Sequence, residues 1–277
     1  MGSLRRVLIG ALFLAALSFA SHPSLAQTPS PLAAWQYSVG EVLTPLGGPI
    51  PEWRFTFGGG VNVQPFYDGS KRYRIEPSFV VDIRYRDLLF LSDGEGLGIN
   101  ILHGQNYRAG VALGYDLGRD HHLQERLAGL GNVAVAPEAK IFAEYFLLPV
   151  VFSADLRKGF GGHNGVIGDL GAYVPIPVAP GLYVFTGPSV TVANERYLQA
   201  YFGVTPTQAA NSGFPVFTPH GGFVRTGWGV TTAYQWTEHW WLEAQGAVQY
   251  LLGDAGRSPI TEDRAEMTVG ANVLYRF

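Results

Sequence analysis

The sequence has no cysteine and few charged residues, and each deficit excludes a class of protein. Without cysteine, the chain forms neither a disulfide framework nor a lipid anchor on an N-terminal thiol. Charged residues make up 15% of the chain, against about 25% in a typical water-soluble domain. The net charge of -3 provides no basic surface for nucleic acid. Low charge favours a membrane-embedded chain over the alternative, a secreted soluble β-sandwich.

Long apolar runs are also lacking, except near the N-terminus. Arg5 and Arg6 precede an apolar run over residues 7–20, and Ser24 and Ala26 place small residues before Gln27. This pattern predicts a secretory signal peptide over residues 1–26, cleaved on export. The alternative is a membrane anchor, but the run is shorter than the ~20 residues of a spanning helix. Residues 27–52 are rich in proline and predict a periplasmic extension.

The last residues show the clearest strand pattern. Val273, Tyr275 and Phe277 share one apolar face with Met267 and Val269, while the intervening residues are mostly small or polar. This alternation predicts an amphipathic strand that ends in aromatics at a membrane interface. A terminal phenylalanine after alternating apolar residues also resembles the signal read by the barrel-assembly machinery. Phe277, Tyr275 and Val273 are therefore the candidate assembly signal.

The same alternation recurs along the whole of residues 53–277. It predicts an all-β transmembrane barrel, antiparallel and up-and-down, whose strands cross the outer membrane. The long connections are residues 118–132, 193–222 and 253–266. All three fall on one side of the membrane if residues 88–91 and 97–102 form separate strands. That count gives twelve strands, with ten as the alternative if weak segments fail to span. The strands are predicted at residues 53–63, 73–85, 88–91, 97–102, 107–117, 133–145, 150–157, 166–174, 182–192, 224–236, 240–252 and 267–277.

The opposite face of these strands carries charges of both signs. Two interpretations stay open: the lining of a water-filled pore, or ion pairs that fill the lumen and stiffen the barrel. The candidate lumen charges are Arg54, Arg74, Glu76, Asp82, Arg84, Arg108, Asp116, Glu138, Lys140, Glu144, Asp155, Arg157, Arg225 and Glu243.

Catalytic and metal-binding patterns are missing from the sequence. It has no G-x-S-x-G elbow and no P-loop, and no histidine can be placed beside Ser153 and Asp155. The histidines lack the ligand spacing of zinc sites and are expected to be exposed in loops; they include His103, His121, His122, His163, His220 and His239. We therefore expect no enzyme activity, no cofactor and no metal.

Several segments resemble the MltA-interacting protein family, also called MipA/OmpV. The matching segments are PFYDGS at residues 65–70, LLFL at 88–91, LAGLG at 127–131, YFGV at 201–204 and LGDA at 252–255. They occur in the family's order over almost all of the mature chain. The resemblance implies an outer-membrane location and a scaffolding role toward a murein lytic transglycosylase and a murein synthase. Other members resemble adhesins or permeability factors.

The sequence therefore predicts a non-enzymatic barrel embedded in outer-membrane lipid, with scaffolding of murein-remodelling enzymes as the expected role. A narrow channel for small solutes and a surface adhesin are the alternatives. The longest loop, residues 193–222, is rich in aromatics and proline. It could form a contact surface or fold inward and constrict the lumen.

Overall fold

The computed structural model describes residues 51–86 and 88–277. The predicted signal peptide and nearly all of the predicted extension lie outside the described residues. The described chain forms twelve strands. They are β1 (Trp53–Pro65), β2 (Tyr73–Tyr85), β3 (Leu89–Ser92), β4 (Gly96–His103), β5 (Tyr107–Asp116), β6 (Ala136–Leu147), β7 (Val150–Gly159), β8 (Val166–Ala179), β9 (Leu182–Ala193), β10 (Gly222–Gln235), β11 (Trp240–Leu251) and β12 (Ala265–Arg276).

Each strand pairs antiparallel with its neighbours in sequence, and β1 pairs with β12 to close the barrel. The predicted up-and-down barrel of twelve strands is confirmed. At the closing seam Gly60 lies opposite Asn272. A side chain at Gly60 would place its Cβ 1.8 Å from the carbonyl oxygen of Ala271, so only glycine permits this approach.

Outward apolar side chains alternate with inward polar side chains along the strands, as a barrel wall in lipid requires. In β12 the apolar residues Met267, Val269 and Val273 are exposed on the outside, whereas Thr268 and Asn272 are buried on the inside. The candidate assembly residues Tyr275 and Phe277 end this strand with their rings 4.7 Å apart. The backbone N–H of Phe277 donates to the carbonyl of Phe55 in β1, which anchors the chain end.

Short turns lie at one end of the barrel and long loops at the other. The chain enters β1 and leaves β12 at the short-turn end, which corresponds to the periplasmic side. The long loops contain helices α1 (Glu195–Phe202), α2 (Pro206–Ser212) and α3 (Gly253–Arg257), none of which was predicted. No helix among the described residues is long and apolar enough to cross a membrane.

The eighth strand is longer than predicted. The prediction ended it at residue 174, but β8 continues to Ala179. Pro175 pairs with Phe185 and Pro177 with Tyr183. The fixed φ of proline is compatible with an extended strand, and its only loss is one N–H donor.

The hairpin of β3 and β4 is much shorter than the other hairpins. At its extracellular tip, the last residue pair between β2 and β3 is Asp82 with Ser92. The last pair between β4 and β5 is Leu97 with Leu113. Beyond them the chain turns at residues 93–95. The wall is therefore complete at the periplasmic level but lacks two strands above this turn.

Candidate functional site

Charged side chains on the inner wall form networks that join neighbouring strands. Arg84 on β2 pairs with Asp82 at 2.9 Å and also with Glu95, from the turn between β3 and β4. Arg108 on β5 reaches the same Glu95 at 3.1 Å and Glu144 on β6 at 3.2 Å. The signs alternate along this chain, so each buried charge has an opposite neighbour, as burial demands.

A second network lies on the adjoining strands β7 to β9. Arg157 on β7 pairs with Asp155 at 3.0 Å and also contacts Asp169 on β8. The hydroxyl of Thr191 on β9 donates to Asp169 as well. Three adjacent strands are thereby joined through their inward side chains.

The remaining predicted lumen charges are placed singly or in small groups. Arg74 pairs with Glu76 at 2.9 Å, and Arg225 pairs with Asp68, from the first loop, at 2.7 Å. Glu243 accepts a hydrogen bond from Asn272 at 3.1 Å. Other members of the predicted set lie inside as well: Lys140, buried 5.8 Å from the ring centroid of Phe142, and Arg54, which is partly buried. None of the predicted lumen charges is exposed: each is buried or partly buried on the inner wall.

Sequence reasoning missed several partners of these charges. Glu95 lies in a glycine-rich turn and Asp68 lies in a loop. The alternation of a strand predicts the inner or outer face only for strand residues, so it predicts neither of these. Glu266 is on the inner face of β12 and accepts a hydrogen bond from the N–H of Gly69. It has the same parity as Thr268 and Asn272, so extending the predicted last strand by one residue would have found it.

The extracellular mouth is closed by the long loops, which pack into a cap around two apolar clusters. The first cluster is centred on α1, where Tyr197, Leu198, Tyr201 and Phe202 are fully buried. These positions lie on one face of a helix whose N-cap, Asn194, accepts from the N–H of Tyr197. Three aromatic residues of the longest loop, Tyr197, Tyr201 and Phe202, are therefore buried among other loop and strand residues.

The second cluster joins loops that are far apart in sequence. Tyr67 from the first loop packs with Leu127, Leu130, Val204 and Ile260. Burial, together with the nearby carboxylate of Glu262, raises the pKa of the Tyr67 phenol, which therefore stays protonated. Its single O–H is within donor distance of the Glu262 carboxylate, at 3.0 Å, and of the Ile260 carbonyl, at 3.3 Å.

A buried polar cluster lies beneath this cap. His163 is fully buried, which corrects the expectation that the histidines are exposed. Gly159 leaves room for its ring, and Tyr197 packs against it with centroids 5.1 Å apart. Its Nε2 lies 3.3 Å from Glu138 and 3.9 Å from Asp116.

The geometry of His163 defines what this cluster can do. The backbone N–H of Gly165 donates to Nδ1 at 3.0 Å, so the proton of the neutral ring is on Nε2. Nε2–H faces Glu138 as a donor, and possible ligand atoms of Asp116, Glu138 and His163 lie within 4.8 Å of one another. Asp116 accepts a hydrogen bond from Tyr201 at 2.6 Å, and burial next to Asp116 raises the pKa of the Tyr201 phenol. The cluster thus holds the α1 part of the cap onto the top of β5 and β6.

The other described histidines lie at the rims. His121 and His122 form a 3-10 turn whose N-cap is Asp120, and these three residues bring possible ligand atoms within 4.8 Å of one another. His220 contacts Asp254 at 3.3 Å. Such exposed groups are common on loop surfaces without an ion.

A closed twelve-stranded barrel with an apolar exterior and a polar interior wall defines an outer-membrane barrel protein. The profile of the family described as MltA-interacting protein MipA matches residues 57–277, and the chain belongs to this family.

Solved structures that this chain resembles are outer-membrane proteins with little sequence in common. OmpT of Vibrio cholerae is 9% identical, with a TM-score of 0.36 over 81% of this chain and 97% of that one. A bacterial polysaccharide outer membrane secretin is 11% identical, with a TM-score of 0.41 over 83% and 100% of the two chains. Neisserial surface protein A is 9% identical, with a TM-score of 0.25 over 82% and 98%. No curated protein matches the sequence.

Proposed function

We propose that this protein is a non-enzymatic scaffold in the outer membrane, which binds a murein lytic transglycosylase on its periplasmic side. The observation that carries the proposal is membership of a family described by its interaction with MltA, a murein enzyme. A murein synthase is the second partner, as the family resemblance implies. Such a scaffold needs a rigid barrel with a surface turned toward the murein.

The ion-paired inner wall and the loop cap support this role. Ion pairs join neighbouring strands on the inner wall, and the loop cap closes the extracellular mouth. A periplasmic partner therefore meets the short turns and the rim rather than a wide channel. These features favour a scaffold over a channel for solutes, and the buried loop aromatics leave less apolar surface for an adhesin.

The periplasmic rim offers groups for such a contact. Leu148, in the turn between β6 and β7, is 59% exposed, and Trp236 follows β10 with a similarly exposed ring. Arg86 and Glu52 form an exposed ion pair at 2.7 Å. Exposed aromatic and aliphatic side chains beside polar groups are typical of protein interfaces.

The test compares one change at each end of the barrel. The protein is immobilised in detergent, and binding of an MltA-type lytic transglycosylase is measured by surface plasmon resonance. We expect Leu148→Asp to raise Kd about tenfold or more. The partner would cover the exposed leucine side chain, and the variant places a charge in that contact. The matched control is Val216→Asp in the extracellular cap, where the side chain is 55% exposed.

The outcomes separate clearly. Normal binding by Val216→Asp with weak binding by Leu148→Asp supports a periplasmic docking surface. Equal binding by both variants would assign the contact elsewhere, and no binding by the unmodified protein would refute the scaffold. Incubation of the barrel alone with murein is expected to release no soluble fragments.

A further inference from the structure

The wall of the barrel has a notch above the β3–β4 hairpin. At the hairpin tip β2 and β5 are three strand spacings apart, about 14 Å. Above the tip, residues 73–80 of β2 have no strand partner on this side among the described residues. The notch is defined by this edge of β2, by residues 113–116 of β5, and by the turn at residues 93–95.

Backbone groups on the β2 edge are left without a strand partner. Both the N–H and the carbonyl of Val81 bond to Asp93 at the hairpin tip. Backbone groups alternate in direction along an antiparallel strand, so those of Ile75 and Phe79 point the same way as those of Val81. Unpaired backbone groups in hydrocarbon are costly, so the notch requires an occupant with polar atoms.

Proline at the centre of this edge disfavours a protein strand as that occupant. Pro77 has the same parity as Ile75 and Phe79, and it has no N–H to donate. Proline on an open edge is a common way to block pairing with another strand. A second copy of this chain would lose its central ladder hydrogen bond there.

Apolar side chains border the notch and are unusually exposed. Ile75 and Phe79 are each 74% exposed, and Leu113 on the facing strand is 65% exposed. By comparison, Ile141 and Val248, on the outside of the complete wall, are each 56% exposed. The missing strands leave Ile75 and Phe79 without neighbours on this side, and Leu113 lies in the last strand pair below the notch. The notch therefore presents apolar surface for an acyl chain.

Two cations lie at the extracellular end of the same edge. Lys71 and Arg72 are exposed just before β2 begins, and neither side chain has a carboxylate within ion-pair distance among the described residues. Arg72 and Phe79 are separated by about 23 Å along the strand, less than the ~30 Å hydrocarbon thickness. The cations therefore lie at headgroup level while Phe79 lies at acyl-chain level.

We propose that the notch is a binding site for an anionic lipid of the surrounding membrane. Its phosphate contacts Lys71 and Arg72, and its acyl chain lies between Phe79 and Leu113. The ester carbonyl oxygens of the lipid accept hydrogen bonds from the free N–H groups of the β2 edge. This site is independent of the periplasmic scaffold, since it lies on the outer wall.

Native mass spectrometry of the protein released from nanodiscs tests the site. The discs contain equal amounts of phosphatidylglycerol, which is anionic, and phosphatidylcholine, which is zwitterionic. We expect one phosphatidylglycerol to stay bound to the unmodified protein. Lys71→Glu with Arg72→Glu should reduce the bound fraction about tenfold or more, because both cations contribute to headgroup binding.

A control variant and a milder variant keep the test decisive. Arg196→Glu changes an exposed cation on α1, beside β9 and across the barrel, and should retain the lipid. Lys71→Gln with Arg72→Gln removes the charges without reversing them and should also lose the lipid. Each variant is first checked for compact migration on an unboiled denaturing gel.

Four results would overturn the proposal. They are the absence of retained lipid, equal retention of phosphatidylcholine, displacement of the lipid by inorganic phosphate alone, and unchanged retention in both charge variants. Efficient disulfide dimers of Phe79→Cys in membranes would show instead that a second copy occupies the edge.

Discussion

The buried carboxylate of Glu95 is predicted to be one of the most important single side chains for stability. It lies between the guanidinium groups of Arg84 and Arg108 and is almost completely buried. Removing one partner of a buried ion pair usually costs about 3–5 kcal/mol, because the remaining charge is left uncompensated. Arg84 keeps Asp82 and Arg108 keeps Glu144, so we expect Glu95→Gln to cost about 3 kcal/mol, the lower end of that range.

An exposed ion pair of the same chemistry provides the control. Glu52 pairs with Arg86 at 2.7 Å, but the two side chains are 59% and 62% exposed. Such a pair is worth about 0.2–1 kcal/mol. Glu52→Gln should therefore change the free energy of unfolding by less than a third of the effect of Glu95→Gln.

Urea unfolding in lipid vesicles, followed by tryptophan fluorescence, measures both variants. The midpoint should fall clearly for Glu95→Gln and hardly move for Glu52→Gln. Equal midpoints for the two variants would refute the claim that the lumen network stiffens the barrel. A changed slope in only one of them would indicate that the surface exposed on unfolding had changed, so the midpoints would not compare directly.

Two further predictions concern the cap. Gly159→Ala should lower the free energy of unfolding by about 1–3 kcal/mol, because the added Cβ would be 2.2 Å from the His163 ring. Gly114→Ala is the control, since no atom lies within 4 Å of its added Cβ, and it should hardly change the urea midpoint. The backbone N–H of His220 lowers the pKa of Asp254 to about 2. The ionised carboxylate therefore stabilises the cap above about pH 4, and this contribution is lost as the pH falls toward 2. Acid-stable protease should cut residues 252–264 faster at pH 2 than at pH 5, and Asp254→Asn should flatten that difference; an unchanged difference would contradict this role.

The strands were predictable because the membrane imposes a period of two on every one of them. Tyr73–Tyr85 and the last strand alternate so regularly that their inner and outer faces follow from the sequence. The strand count depended on recognising β3 and β4 as separate despite their length. The notch did not follow from this count, because alternation does not report how far a hairpin extends.

The cap was less predictable. Asn194 followed by apolar residues at helical spacing, and Thr205 with Pro206 and Gln208, are local start signals for α1 and α2 that could have been recognised. The contacts between loops could not. The hydrogen bond from Tyr67 to Ile260 joins residues 193 positions apart, and no local pattern specifies such a pairing.

The burial of His163 illustrates the same limit. It lies between Gly162 and Asn164, with Gly161 and Gly165 next to them, a composition that predicts an exposed turn. The residues that bury it, Glu138, Tyr197 and Tyr201, come from another strand and from a helix in the longest loop. Only the folded barrel brings them together.

The most direct test of the central claim is site-specific photocrosslinking in intact cells. A photoreactive amino acid replaces Leu148 at the periplasmic rim or Val216 in the cap, and the products are identified by mass spectrometry. A scaffold predicts a crosslink to a murein lytic transglycosylase from position 148 and none from position 216. Crosslinks to that enzyme from neither position, or only from position 216, would contradict it.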